Sequence, residues 1–325
     1  MAVYTEVAPE AAQALLNHLN LGTLQSLRGI QGGIENTNYF ATTDQGDYVL
    51  TLFERLTAEQ LPFYLRLVKH LAAAGIPVPE PQADAQGQLL HSLHGKPAAV
   101  VVKLAGQSQL APQAIHCAQL GRVLAQMHLT ARSFDMQQPN LRGLDWWNDT
   151  VPAVLPYLQA PQQELLRREL AFQNELAASA SYRALPASAV HADLFRDNAM
   201  FEGERLSGVF DFYFAGVDTW LFDLCVAIND WCIDLATGEL DTPRVNALLR
   251  AYQQVRPLTA EEQALYPALL RAAALRFWIS RLWDYHLPRQ ASMLQPHDPT
   301  HFERVLRARI ARPGAITAEH GFATP

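Results

Sequence analysis

Apolar positions recur along most of this chain at helical or strand intervals, and the interruptions between those runs divide it into elements. Residues 8–20 put Ala11, Leu15, Leu16 and Leu19 on one side of a short amphipathic helix. A strand-like piece from Leu24 leads into a glycine-containing turn over residues 29–40, lined by small polar side chains. Asp44 to Asp47 is turn chemistry, and Tyr48 to Phe53 is a β-branched and aromatic run that predicts the next strand. Thr57 and Gln60 have the spacing of a capping box ahead of a helix whose apolar positions include Leu61, Tyr64, Leu65, Val68 and Leu71. Gly75 and three prolines up to Pro81 end it. Leu89-Leu90 and Ala98 to Leu104 predict further strands.

Beyond a break at Ala105 to Ser108 the pattern becomes helical. Helices are predicted over 112–132, 161–180, 241–256 and 260–287, with another starting near Trp220 and an apolar face extending to Leu235. Residues 139–158 read as irregular, with Trp146 and Trp147 as core or pocket-wall aromatics, and the tail from Arg312 has no periodicity and is expected to be mobile. This order predicts an α+β chain in two lobes, a small β-rich one over 1–104 and a larger, mainly helical one over 105–325, hinged at about 103–108.

Composition narrows the functions. A length of 325 residues with 49% hydrophobic content suits two lobes of one globular unit. The net charge of −7 argues against nucleic acid or an anionic membrane as partner, since both need a basic field. Cys117, Cys225 and Cys232 form no C-x-x-C pair, which points to neither a zinc site nor a disulfide framework and fits a reduced, cytoplasmic setting. No apolar run is long enough to span a bilayer, and no basic-then-apolar leader opens the chain, so a soluble, unprocessed protein is expected. Nothing in the pattern speaks to oligomeric state.

The chemistry concentrates in Val190 to Ala199, which reads H-x-D-x-x-x-x-N with His191, Asp193 and Asn198 at the fixed places. Phosphoryl transfer to a hydroxyl needs a carboxylate beside the attacking oxygen and oxygen ligands for a magnesium ion, held on rigid backbone. Asp193 and Asn198 supply such a pair, and Asp211, at the end of the strand-like run Leu206 to Phe210, supplies a second, charged magnesium ligand. A loop whose Asp and Asn only satisfy turn hydrogen bonds is the bland alternative. The Gly32-Gly33 turn lets backbone N–H groups approach phosphate oxygens, although such a pair also serves in a plain hairpin.

His191 to Asn198 followed by Asp211-Phe-Tyr213 resembles the catalytic loop and metal-binding segment of the kinase-like phosphotransferases, among them aminoglycoside, choline and methylthioribose kinases. The resemblance implies a protein-kinase-like fold using ATP and Mg2+. Gly32, Gly33, Asn36, Asn38 and Leu104 then hold the nucleotide; Asp193, Asn198 and Asp211 are catalytic; Asn198 and Asp211 bind the metal. His191 supports the loop, and an aspartate at the position of Asp223 accepts the loop's backbone N–H groups, leaving Asp230 for substrate. One departure stands out. The strand lysine that pairs ATP phosphates in this family corresponds to Thr51, and Lys69, Lys96 and Lys103 all lie elsewhere, with Arg55 the nearest cation.

Taken whole, residues from about 30 to 310 resemble the branch that phosphorylates the side-chain hydroxyl of homoserine, a step toward threonine, through Gly33 to Tyr39, the loop, Asn229 to Cys232 and Arg276 to Asp284. The partner implied is a small-molecule amino acid, with Asp230 or Asp284 for its ammonium, Arg281 for its carboxylate, and Trp231 or Tyr285 along its methylenes. Arg281, Asp284 and Tyr285 share a helix face, where a local Arg–Asp pair is the alternative. Another small alcohol as substrate, or an inactive nucleotide-binding fold, are the competing readings.

Overall fold

The computed structural model describes residues 5–30, 36–287 and 297–313. The chain forms two compact units, Met1–Gly106 together with Ser207–Phe210, and Gln107–Leu206 together with Asp211–Pro325. The sequence places its hinge at 103–108; the return of the 207–210 segment to the first unit has no signature in the pattern.

The first unit opens with helix α1 (Pro9–His18), followed by strands β1 (Leu24–Gly29), β2 (Asn36–Thr43) and β3 (Asp47–Phe53). Helix α2 (Leu61–Ala73), β4 (His91–Leu93) and β5 (Lys96–Val102) complete it. Its sheet runs β1-β2-β3-β5-β4, antiparallel throughout. Strict alternation of burial along β2 shows why the register holds, because a one-residue slip would turn Tyr39 and Ala41 out of the core. Leu15, Leu16 and Leu19 close one face over Leu50, Leu52 and Val100. Leu89 and Leu90, expected as a strand, lie just before the observed β4. Gly208 belongs here through a close approach: a Cβ on it would stand 2.4 Å from a Leu104 methyl.

The second unit begins with β6 (Gln107–Ser108), α3 (Ala114–Ala131), α4 (Leu144–Val154), α5 (Ala160–Ala177) and α6 (Ala180–Arg183). Then come β7 (Ala187–Val190), β8 (Ala199–Glu202), β9 (Arg205–Val209), which crosses into the first unit, and β10 (Gly216–Thr219). Helices α7 (Trp220–Trp231), α8 (Thr242–Val255), α9 (Ala260–His286) and α10 (Thr300–Ala311) follow. Helices α3 and α8 cross closely, since a Cβ on Gly121 would meet the Leu248 carbonyl oxygen at 2.3 Å, so only glycine fits.

Several expectations change. The stretch expected to be irregular over 139–158 contains α4, whose buried Trp147, Thr150, Val151 and Val154 are spaced i, i+3, i+4, i+7. Pro152 obscures that pattern, yet the helix tolerates it because the carbonyl it leaves unpaired belongs to exposed Asn148. Helix α7 stops at Trp231, so Asp234 and Leu235 lie beyond it: Asp234 caps a turn through Ala236 and Thr237, and Leu235 is exposed. Asp223 and Asp230, within the helix, are both buried. Helix α10 has no counterpart among the predicted elements. It docks on α9, and its buried Arg309 donates to the Asn229 side chain of α7. Most of the tail from Arg312 lies outside the described residues. Among the described residues, no helix is long and apolar enough to cross a membrane.

Candidate active site

Antiparallel pairing of β7 with β10 sets Val190 opposite Gly216. The loop leaving β7, His191 to Asn198, and the segment entering β10, Asp211 to Ala215, therefore emerge at one end of this two-stranded sheet. Both contain a residue in the left-handed region that is not glycine, Ala192 at φ 62° and Asp211 at φ 65°. Each such backbone costs roughly 1–3 kcal/mol and persists only where its surroundings over-determine it.

For the loop, those surroundings are mostly supplied by α7. Buried Asp223 accepts the His191 N–H at 3.2 Å and the Ala192 N–H at 2.7 Å. Further along the same helix Asp230 accepts the Arg196 N–H at 2.8 Å, and Trp231 Nε1 donates to the Leu194 carbonyl at 3.0 Å. Phe195 lies against Phe277 of α9 and Phe302 of α10, with ring centroids 4.4 and 5.8 Å away. Residues 192, 194, 195 and 196 are thus each held by a helix, which fixes where Asp193 projects.

Asp223 is itself held in place by His128 Nε2 at 3.0 Å, and His128 Nδ1 meets the Tyr252 hydroxyl at 2.8 Å. Burial alone would raise the Asp223 carboxyl, but the hydrogen bond and charge of His128, with help from His191 and the Ala192 N–H, hold it below the ordinary range. His191 packs on Phe212 with centroids 4.5 Å apart, linking the loop to the Asp211 segment.

Asp193 keeps 17% of its side-chain surface exposed, enough for a hydroxyl to reach it. Burial pushes its carboxyl up to about 8; Arg276 pulls it down, while Asp211, Asp197 and Asp230 push it up again. Asn198 donates Nδ2–H to the Asp193 carbonyl at 2.8 Å, so the acceptor its side chain offers is the amide oxygen. An amide oxygen and the Asp211 carboxylate are hard, neutral-plus-anionic donors, which fits a magnesium-like ion.

The cation paired with Asp193 is Arg276, whose Nη1 stands 3.9 Å from Asp193 Oδ1. Arg276 is 3% exposed, and its Nε and Nη2 make no hydrogen bond among the described residues. Phe277 and Phe214 lie under the guanidinium at 3.8 and 5.2 Å, and burial lowers its pKa to about 10. Sequence reasoning missed this residue as a site member. The available signal was a lone cation in the otherwise apolar run Ala272 to Ile279, which must be buried whichever way the helix turns.

The expected substrate residues fare differently. Asp230 is not free: its two carboxylate oxygens take Arg196 Nε at 3.0 Å and Nη2 at 3.2 Å. Trp231 has no exposed surface and serves the loop rather than a pocket wall. Arg281 lies over the Phe302 ring at 4.6 Å, not against Asp284. Tyr285 is 53% exposed and set edge-on to His286. Asp284 is exposed, and its charge favours the charged form of the Arg276 guanidinium.

Of the nucleotide residues, Gly32 and Gly33 lie outside the described residues. Asn38 Oδ1 accepts from the Thr51 hydroxyl at 2.7 Å, so the position of the absent lysine is filled by a strand-to-strand hydrogen bond. Asn36 opens β2 opposite Phe53, and Leu104 packs on Gly208. The three lysines are committed elsewhere: Lys69 to Glu80 at 2.6 Å, Lys96 to Glu54, and Lys103 towards Asp47 at 3.8 Å.

Residues 26–258 match the model of the phosphotransferase enzyme family. The chain belongs to that family. It is 65% identical over 313 residues to a homoserine kinase of Polaromonas naphthalenivorans, covering 96% of this chain and 99% of the relative. A homoserine kinase of Janthinobacterium sp. is 57% identical, covering 95% and 96%. Among solved structures, amicoumacin kinase hAmiN, in complex with AMP-PNP, Ca2+ and Ami, aligns with TM-score 0.67 at 17% identity over 96% of this chain and 95% of its own. A choline/ethanolamine kinase family protein from Mesorhizobium loti gives 0.62 at 18%, covering 96% and 97%. The fold of this phosphotransferase is therefore the two-lobed, kinase-like one, with a β-rich N-terminal part and a larger helical part.

Proposed function

We propose that this phosphotransferase moves the γ-phosphoryl group of ATP to the side-chain hydroxyl of L-homoserine, yielding O-phospho-L-homoserine and ADP. The observation that carries the reading is Arg276. A guanidinium buried beside Asp193, with Nε and Nη2 unpartnered among the described residues, is a site for a small planar anion, because leaving it unsatisfied is costly. An amino-acid carboxylate fits that description, whereas choline and aminoglycosides carry positive charge and hydroxyls but no carboxylate. The two relatives named homoserine kinase, matched nearly end to end, support the same substrate.

In this reading Arg276 holds the substrate carboxylate, with Arg281 as a second cation close by, and exposed Asp284 receives the ammonium. The hydroxyl then lies at Asp193, whose carboxylate accepts its proton as the oxygen attacks phosphorus. A carboxyl raised to about 8 is a stronger base than an ordinary aspartate while remaining partly ionised near neutral pH. Asn198 and Asp211 hold Mg2+, which when bound neutralises charge on the transferring phosphoryl. Gly32, Gly33, Asn36, Asn38 and Leu104 receive ATP. The pinned loop supplies precision, since misplacing Asp193 by an ångström forfeits much of the advantage of positioning.

The test is ADP release with ATP and Mg2+ across L-homoserine, 3-aminopropanol, choline and an aminoglycoside. Homoserine should give the highest kcat/KM. Preference for choline or the amino alcohol overturns the substrate, and no release with any of them favours an inactive nucleotide-binding fold.

A further inference from the structure

We propose that His18, Asp84 and His91 form a binding site for a divalent transition metal, Zn2+ by ligand chemistry, in the first unit. His18 ends α1, Asp84 lies in the turn before β4, and His91 opens β4. One ligand atom from each lies within 4.8 Å of the other two. His18 Nε2 stands 3.3 Å from Asp84 Oδ2, and the two imidazole rings meet edge-on with centroids 5.6 Å apart. Two imidazole nitrogens and a carboxylate oxygen make a three-ligand set suited to zinc and poorly suited to magnesium, which prefers oxygen alone.

Two further features distinguish this cluster from a surface ion pair. The Asp84 carboxylate is anchored from behind: its Oδ1 accepts the N–H groups of Gln86 at 2.9 Å and Gln88 at 2.8 Å, which leaves Oδ2 directed at the imidazoles. Such outer contacts orient a ligand before the ion arrives. His91 Nε2 is buried and has no hydrogen-bond partner among the described residues. A plain His18–Asp84 pair gives that nitrogen nothing to do, whereas a metal ion uses it. The ion would tie the end of α1 to the outermost strand of the five-stranded sheet, whose strand neighbour is β5. It would also sit at the C-terminal end of α1, where the helix dipole favours a cation.

The experiment uses the full chain stripped with EDTA and titrated with Zn2+ by calorimetry, with Co2+ absorption reporting nitrogen ligation. One ion should bind per chain at this site and survive a large excess of Mg2+. His18→Ala, at an exposed position, should weaken it by more than the roughly 10–100-fold that loss of an outer-shell partner costs, and His91→Ala should do the same. Asp211→Ala should leave it unchanged, and His18→Ala should leave Mg2+-dependent ADP release unchanged. Zinc affinity in His18→Ala equal to the parent's, or loss of binding in Asp211→Ala alone, overturns the proposal and reduces the cluster to an ion pair.

Discussion

Removing the Arg276 guanidinium tests the substrate assignment most directly. Two of its nitrogens, Nε and Nη2, have no hydrogen-bond partner among the described residues, and a bound carboxylate would accept from both. Hydrogen bonds to charged groups contribute about 1.5–3 kcal/mol each, so Arg276→Met should forfeit roughly 3–6 kcal/mol of homoserine binding in the transition state. At about 1.4 kcal/mol per decade this is a fall of about 10²–10⁴ in kcat/KM. Part of any loss has another origin. Arg276 also pulls the Asp193 carboxyl down, so its removal raises Asp193 further and slows every substrate. That effect cancels in the ratio of homoserine to 3-aminopropanol, which lacks only the carboxylate; if the amino alcohol is not turned over, its inhibition constant serves instead. The ratio should collapse by about 10² or more in Arg276→Met. Arg276→Lys should recover a part, because lysine keeps the charge and loses the fork. Stability should change little in Arg276→Met, since a buried, half-satisfied cation is removed and the Asp193 carboxyl left behind, already raised to about 8, takes up a proton. An equal penalty on both substrates, or a large fall in Tm, would show that Arg276 is structural and refute the assignment.

Asp193→Asn should lower kcat by roughly 10²-fold or more while leaving ATP binding nearly intact, as single-turnover kinetics would read. Asp211→Ala should weaken Mg2+-dependent ATP binding far more than Asn198→Ala, which removes only a neutral dipole; calorimetry with and without Mg2+ checks it. Arg196→Ala should destabilise by about 3–5 kcal/mol in urea unfolding, because it strands the buried carboxylate of Asp230. Asp218, on β10, is raised by burial to about 6 from an ordinary 3.8, against the pull of its Asn140 hydrogen bond. Its stabilising contribution is therefore complete below about pH 4 and is lost as pH rises through 6. Asp218→Asn should flatten the stability-versus-pH curve across that window, and an unchanged slope would contradict it.

The sequence by itself determined the order of elements in the first unit and most helices of the second, because amphipathic periods of 2 and 3.6 and punctuation by glycine and proline are local properties. The chemical loop was legible for the same reason, since Asp193, Asn198 and Asp211 are close along the chain and their spacing alone suggests metal and base. What tertiary structure decided is which charges are available. Along α7 the family resemblance assigns Asp223 to the backbone N–H groups of the loop, two of which it accepts, and leaves Asp230 for substrate, whereas the fold closes Asp230 off with Arg196, a partner 34 residues away in sequence. Along α9 the pattern favours Arg281, on a face with Asp284 and Tyr285, whereas packing leaves Arg276 beside Asp193 with N–H groups to spare and lays Arg281 over Phe302 of a helix the periodicity did not reveal. A side chain's partners are set by contacts between distant segments, and no local period records whether a buried charge is already satisfied.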